Sequence, residues 1–165
     1  MSPTKQATSP MFIRFDLLHT ISVKHRHQTI VLTEGCYDLL HVGHVAFLEQ
    51  CKKLGDILVV AVPSDARVRE KKGINRPIIP DTERVTMLVA LSAVDYATIA
   101  PGPTLDGETP SVRLVKMLKP NVFVTSEKRF QEHRESLRAM EVQVKPLPEV
   151  RLTSTTSIID RIRSR

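Results

Sequence analysis

The stretch "GCYDLLHVGH" at residues 35–44 contains two of the six histidines of this 165-residue chain, His41 and His44, three positions apart. The apolar run "TIVLT" precedes it, and "HVAFLEQCKKLG" follows it with the spacing of a helix. The branched apolar residues predict a buried strand, and Gly55 is a typical residue for the end of a helix. The stretch therefore predicts a strand, a turn and a helix, with both imidazoles at the turn.

Strand-like and helix-like segments alternate through the rest of the chain. The strand-like runs are "DILVVAV", "DYATIA", "NVFVT" and "EVQVKPL", and the last helix-like run is "STTSIIDRIRSR". This alternation favours a parallel sheet with right-handed crossover connections. We therefore predict a Rossmann-like, doubly wound α/β domain at residues 28–165, with about five strands and helices on both faces.

Residues 1–27 have a different composition. "MSPTKQATSP" is polar and contains prolines, as disordered tails do, whereas "MFIRFDLLHTISVKHRHQ" is mixed and basic. A transit peptide is an alternative, but Asp16 and the lack of a clear amphipathic repeat argue against it. We predict a partly flexible N-terminal tail or arm.

The composition limits the class of partner. A net charge of +6 favours an anionic partner, either nucleic acid, a membrane surface or a phosphorylated small molecule. Aromatic residues make up only 4% of the chain, which argues against base stacking, and no apolar run reaches the roughly 20 residues of a membrane helix. Cys36 and Cys51 fit the reduced thiols of a cytoplasmic protein. Phosphorylated small molecules are therefore the expected partners, with no stable nucleic acid partner and no membrane.

The turn at residues 35–44 is the predicted ligand site, because ligands of open α/β sheets bind beyond the carboxyl ends of the strands. Amides at the start of a helix favour an anion, and Gly35 and Gly43 allow a tight turn and close approach of a ligand. A capping role or a metal site are alternatives for the histidines. A metal would need a third ligand, and no other group of residues is arranged to supply one. We predict a phosphate site without a protein-bound metal.

The two ends of this domain carry motifs of a known family. His41-Val42-Gly43-His44 matches the signature of the HxGH nucleotidyltransferases, and "GCYD" resembles the Gly-x-Phe-Asp of their cytidylyltransferase-like branch. "STTSIIDRI" is similar to the second signature of that branch. The resemblance runs from about residue 29 to residue 162. It implies transfer of a nucleotidyl group from a nucleoside triphosphate with release of pyrophosphate.

The resemblance implies three catalytic residues, His41, His44 and Lys72, which would neutralise charge that develops at phosphorus. The implied nucleotide-binding residues are Thr33, Glu34, Gly35, Cys36, Tyr37, Gly43, Ser154, Thr155 and Thr156. Those implied for the second substrate are Asp38, Asp65, Lys71 and Arg84. Each group has a structural alternative. The lysines would lie in a solvated basic loop, Arg84 would be an exposed helix residue, and residues 154–156 would only cap a helix. Mg²⁺ is expected to be carried on the triphosphate, because there is no dense carboxylate cluster.

The segment "KKGINRPIIPDTERVTMLVALSAVDY" is most similar to the heptose-1-phosphate adenylyltransferases, which implies AMP transfer from ATP to a sugar phosphate. Glycerol-3-phosphate cytidylyltransferases have arginines where this chain has Ser92 and "EVRLT", so CTP is less favoured. At residues 125–130, "TSEKRF" replaces the Lys-Gly-Gly-Asp-Tyr of the heptose enzymes. The alternatives are a CTP-dependent enzyme acting on a polyol phosphate or a phosphonate, and a non-catalytic nucleotide- or nucleic-acid-binding protein. Analogy with relatives also predicts a homodimer.

Overall fold

The computed structural model describes residues 11–102, 107–148 and 153–164. The strands are β1 (Met11–Phe12), β2 (Ile30–Glu34), β3 (Ile57–Pro63), β4 (Tyr96–Ala100), β5 (Val122–Ser126) and β6 (Gln143–Leu147). The helices are α1 (Leu18–Lys24), α2 (Val42–Lys52), α3 (Asp65–Lys72), α4 (Asp81–Val89), α5 (Pro110–Leu118), α6 (Phe130–Ser136) and α7 (Thr155–Arg163). No described helix has the length and apolar character needed to cross a membrane.

The strands form one parallel sheet in the order β1-β4-β3-β2-β5-β6. From β2 the chain builds outward through β3 to β4, and it then returns to the other side of β2 to add β5 and β6. This reversal between β2 and β5 is a topological switch point, and ligands of such sheets bind at its carboxyl end. The predicted doubly wound α/β architecture is confirmed, and the turn after β2 lies at the switch point.

The sheet has six strands instead of about five, because the N-terminal arm supplies an edge strand. Met11 and Phe12 of β1 pair with Tyr96 and Ala97 of β4. β1 has only two residues, both apolar and both exposed, so it is too short to show an alternation that the sequence could reveal. The predicted tail at residues 1–10 lies outside the described residues.

The core occupies both faces of the sheet. Successive residues of the central strands point to opposite faces, so β2 and β3 are buried on both sides and their sequences are nearly continuous apolar runs. On one face Leu32 and Phe123 pack with α1 and α5. On the other face Val31 and Leu58 pack with α2 and α4. The two helical layers hold the carboxyl ends of the strands in place beneath the site.

Candidate active site

The turn between β2 and α2 places the two histidines at the start of a helix. His41 is the N-cap residue of α2, in extended conformation, and His44 lies in the first helical turn. Tyr37 occupies the middle of the turn with φ +47° and is 3% exposed. A Cβ atom at Gly35 would lie 2.7 Å from the Tyr37 ring, so glycine is the residue that fits there.

The His41 and His44 rings are stacked, with centroids 3.7 Å apart and planes 21° apart. The Tyr37 ring meets the His44 ring edge-on at 5.1 Å. Burial lowers the pKa of both histidines, and that of His44 falls to about 4 because nearby His41 and Lys72 also disfavour its charged form. Both imidazoles are therefore neutral at pH 7, and each carries one N–H donor.

A cleft of about 1020 Å³ opens beyond the carboxyl ends of the strands. Its walls include the β2–α2 turn with both histidines, the end of α3 and the start of α7. The predicted site residues that line it are Glu34, Gly35, Cys36, Tyr37, His41, Gly43, His44, Lys71, Lys72, Ser154, Thr155 and Thr156. The structure thus brings the histidine turn and the hydroxyl-rich helix start into one cavity, although they are far apart in the sequence.

The start of α7 offers both hydroxyl groups and free backbone amides. The Ser154 side chain accepts a hydrogen bond from the Ser157 amide at 3.0 Å, and the Ser157 hydroxyl accepts one from the Ser154 amide, which together form a capping box. The amides of Thr155 and Thr156 lie in the first helical turn, where no intrahelical acceptor exists. Such a helix start favours an anion in the cleft.

Lys71 and Lys72 lie in the last turn of α3 and not in a basic loop. Ser64 caps the start of α3 by accepting from the Arg67 amide, and Gly73 ends the helix with φ +92°. Both lysines are exposed on the cleft wall, and Lys72 is close enough to His44 to lower its pKa. They supply positive charge on the same side of the cleft as the histidines.

Arg84 does not line the cleft. Its side chain is fully buried, and its guanidinium donates to the carbonyls of Ile79, Cys36 and Pro63 and to the Asp65 carboxylate at 2.8–3.0 Å. Asp65 also accepts from the backbone of α4 and is likewise outside the cleft lining. The structure therefore does not bring Arg84 and Asp65 to the cleft, and the hydrogen bonds of their side chains among the described residues join chain segments to one another.

Thr33 and Asp38 are also buried away from the cleft lining. The Thr33 hydroxyl donates to the Val124 carbonyl at 2.9 Å and joins β2 to β5. The Asp38 carboxylate accepts from Arg76 Nε at 2.5 Å and from the amide of Ile78 at 2.7 Å. Neither residue lines the predicted ligand space. Arg76 itself lines the cleft.

A partly buried polar cluster closes the switch-point end of the cleft. Glu34, at the end of β2, lies 3.1 Å from Arg129 Nη1 and 3.3 Å from His133 Nε2, and it accepts from the Ser111 hydroxyl at 3.0 Å. Burial raises the pKa of Glu34, but the contacts with His133, Arg129 and Ser111 outweigh it and hold the pKa below its usual value. Glu34 is therefore an ionised cleft residue that is already engaged by protein donors.

Sequence reasoning missed the cleft residues Arg67, Arg76, Ser111, Arg129, Glu132 and His133. Arg129 comes from "TSEKRF", the segment that departs from the heptose enzymes, and it also pairs with Glu132 at 3.2 Å. The i, i+3 spacing of Arg129 and Glu132 was the one local signal of this pair. The pairing with Glu34 depends on the neighbouring positions of β2 and β5 and could not be read from spacing.

The chain is similar to proteins of one named group over nearly its whole length. The bifunctional protein HldE of a Nitratiruptor species is 39% identical over 164 residues, which cover 97% of this chain and 34% of that protein. HldE of Geobacter metallireducens is 42% identical over 142 residues, which cover 84% of this chain and 28% of that protein. The chain thus spans about a third of the length of these curated relatives.

Two solved structures share the fold. A lipopolysaccharide core biosynthesis protein from Thermoplasma volcanium superposes with a TM-score of 0.59 at 26% identity, covering 74% of this chain and 98% of that one. A pantothenate synthetase from Thermus thermophilus superposes with a TM-score of 0.60 at 17% identity, covering 83% of this chain and 61% of that one, which supports the fold alone. The family model described as cytidylyltransferase-like matches residues 32–161. The chain therefore belongs to the cytidylyltransferase-like family, and its domain is a nucleotidyltransferase domain.

Proposed function

We propose that this domain transfers AMP from ATP to a sugar phosphate, such as a heptose 1-phosphate, and releases pyrophosphate. The observation that carries the proposal is the single cleft that contains His41, His44, Lys72 and the start of α7. The similarity to HldE and the resemblance of residues 71–96 to heptose-1-phosphate adenylyltransferases support the choice of substrates.

The proposed reaction is an in-line displacement at phosphorus. An oxygen of the acceptor phosphate attacks the α-phosphorus of ATP, the new P–O bond forms, and the bond to the bridging oxygen breaks to release pyrophosphate. His41 and His44 donate N–H groups to the phosphoryl oxygens, and the Lys72 ammonium neutralises charge on the leaving group. Catalysis then comes from positioning and charge, so no covalent enzyme intermediate is required.

We propose that Mg²⁺ enters with the nucleotide, on its phosphates. Among the described residues there is no group of three or more His, Cys, Asp or Glu that could hold a metal ion. The cleft carboxylates of Glu34 and Glu132 each pair with Arg129, which makes them poor metal ligands. The residues present therefore fit a metal that is bound through the triphosphate.

A homodimer in the cytoplasm remains part of the proposal. Cys36 and Cys51 are free thiols among the described residues, which is compatible with a reducing compartment. Analytical ultracentrifugation of the purified chain tests the dimer, and a sedimentation coefficient of the monomer at all concentrations would rule it out.

The function is tested by pyrophosphate release. The protein is incubated with Mg²⁺, one nucleotide (ATP or CTP) and one acceptor (heptose 1-phosphate or glycerol 3-phosphate). Control reactions contain the nucleotide without the acceptor or the acceptor without the nucleotide. Pyrophosphate that appears only with ATP and heptose 1-phosphate supports the proposal, whereas turnover only with CTP and a polyol phosphate supports the cytidylyltransferase alternative. No release with any pair, together with salt-sensitive polynucleotide binding, would support a non-catalytic binding protein.

A further inference from the structure

Three arginines on the cleft wall have no role in the proposed reaction: Arg67, Arg76 and Arg129. They differ in the acceptors to which their guanidinium groups donate hydrogen bonds within the protein. Arg129 donates to two carboxylates, those of Glu34 and Glu132, at 3.1–3.3 Å. These negative charges would repel a phosphate, so the Arg129 end of the cleft suits an uncharged part of a ligand.

Arg67 is held along its own helix. Its Nη1 donates to Glu70, three residues further along α3, at 2.7 Å. Glu70 is 65% exposed, and an i, i+3 pair of this kind on a helix surface is weak. Among the residues that the structure describes, no buried acceptor fixes the Arg67 guanidinium at one point of the cleft wall.

The Arg76 guanidinium is fixed by a hydrogen bond to a fully buried carboxylate. Its Nε donates to Asp38 at 2.5 Å, and the side chains of Arg76 and Asp38 are 15% and 0% exposed. Within the described ranges its two terminal amino groups have no protein partner. A fixed guanidinium with two open donor groups is the arrangement that binds a phosphate through two hydrogen bonds.

Asp38 also holds the backbone next to the arginine. It also accepts from the amides of Ile78 and Ile79 at 2.7 Å and 2.9 Å. Asp38 belongs to the histidine turn, whereas the groups that donate to it belong to the connection between α3 and α4. The carboxylate therefore sets the position of Arg76 relative to His41 and His44.

We propose that Arg76 binds the phosphate of the acceptor and that Asp38 is its positioning residue. The inference rests on the proposed function. The triphosphate has its own cationic and amide donors at Lys72 and the two helix starts, and the transfer requires a second anion beside it. Two anions repel each other, so a separate cation is needed to bring the acceptor oxygen to the α-phosphorus.

The first test compares the effect of an Arg76 substitution on the KM for the acceptor with its effect on the KM for ATP. Arg76→Ala should raise the KM for heptose 1-phosphate by about 10–100-fold, the value of a lost charge-assisted pair of hydrogen bonds, and leave the KM for ATP within about twofold. Arg76→Lys should recover part of the loss, because the charge remains without the planar fork. Arg69→Ala is the matched control, since Arg69 is exposed on the neighbouring helix and outside the cleft lining.

The second test is a double-mutant cycle with Asp38→Asn. If Asp38 acts through Arg76, this change raises the acceptor KM in the wild type but has no further effect in Arg76→Ala. Equal increases in both backgrounds would contradict the positioning role. Thermal unfolding of each variant shows whether the fold is retained.

Direct titration separates this inference from the proposed function. Heptose 1-phosphate is titrated calorimetrically into the protein with a non-hydrolysable ATP analogue, and binding should be lost in Arg76→Ala. Turnover by the wild type with an unchanged acceptor KM in Arg76→Ala would overturn the inference and leave the function standing. Binding that depends on Arg76 without any turnover would overturn the function and leave the site standing. A wild type that neither binds nor turns over the sugar phosphate would overturn both.

Discussion

Replacing Arg84 with alanine should strongly destabilise the domain. The side chain is 0% exposed, and its removal takes a donor from the carbonyls of Ile79, Cys36 and Pro63 and the arginine partner from Asp65. Removing one partner of a buried ion pair costs about 3–5 kcal/mol, a large part of the roughly 5–15 kcal/mol that stabilises a domain. At about 2–4 °C per kcal/mol for a chain of this size, we expect the Tm to fall by roughly 6–20 °C.

Thermal unfolding followed by circular dichroism measures this effect, with Arg69→Ala as the exposed control. The control should stay within about 0.5 kcal/mol of the wild type. Arg84→Lys should be intermediate, because one ammonium group cannot reach the acceptors of four chain positions. An Arg84→Ala protein with the wild-type Tm and a raised KM for either substrate would refute the structural role and restore a substrate contact.

Three further changes test the histidine turn and its surroundings. Gly35→Ala should cost about 1–3 kcal/mol, because its Cβ would lie 2.7 Å from the neighbouring tyrosine ring, whereas Gly102→Ala, in open space, should not; urea unfolding compares them. Because burial lowers the pKa of His44 from 6.5 to about 4, the free protein should lose stability as the pH falls from 6.5 towards 4, and His44→Gln should flatten that part of the stability profile. Lys72→Ala should raise the KM for ATP about tenfold at low salt and less at high salt, whereas Lys53→Ala, exposed and outside the cleft lining, should not; unchanged ATP kinetics would remove the lysine from the site.

The sequence predicted the central strands well because they are buried on both faces. Continuous branched runs such as β3 leave a strong signal, and Pro63 marks its end. The pattern of "PDTERVTMLVALSAV" at residues 80–94 predicts one continuous helix, but α4 ends at Val89. The apolar pattern continues because Val94 is buried in a turn against the sheet, and periodicity alone does not separate a buried turn from a helix.

The sequence found the cleft residues that belong to motifs and missed those that depend on packing. The histidine turn and the start of α7 carry recognisable signatures, and both line the cleft. Arg76 and Arg84 look equivalent in the sequence, yet Arg84 is buried among carbonyls from three segments and Arg76 faces the cleft. Which arginine is buried depends on acceptors that only the folded chain brings together.

The most direct test of the account is the turnover number of His44→Ala. We expect kcat to fall by about 10²–10³-fold, because one donor that stabilises the transition state is lost, while the Tm stays close to that of the wild type. A folded His44→Ala protein that releases pyrophosphate at a rate within a few-fold of the wild type would contradict the claim that the paired histidines act on the triphosphate.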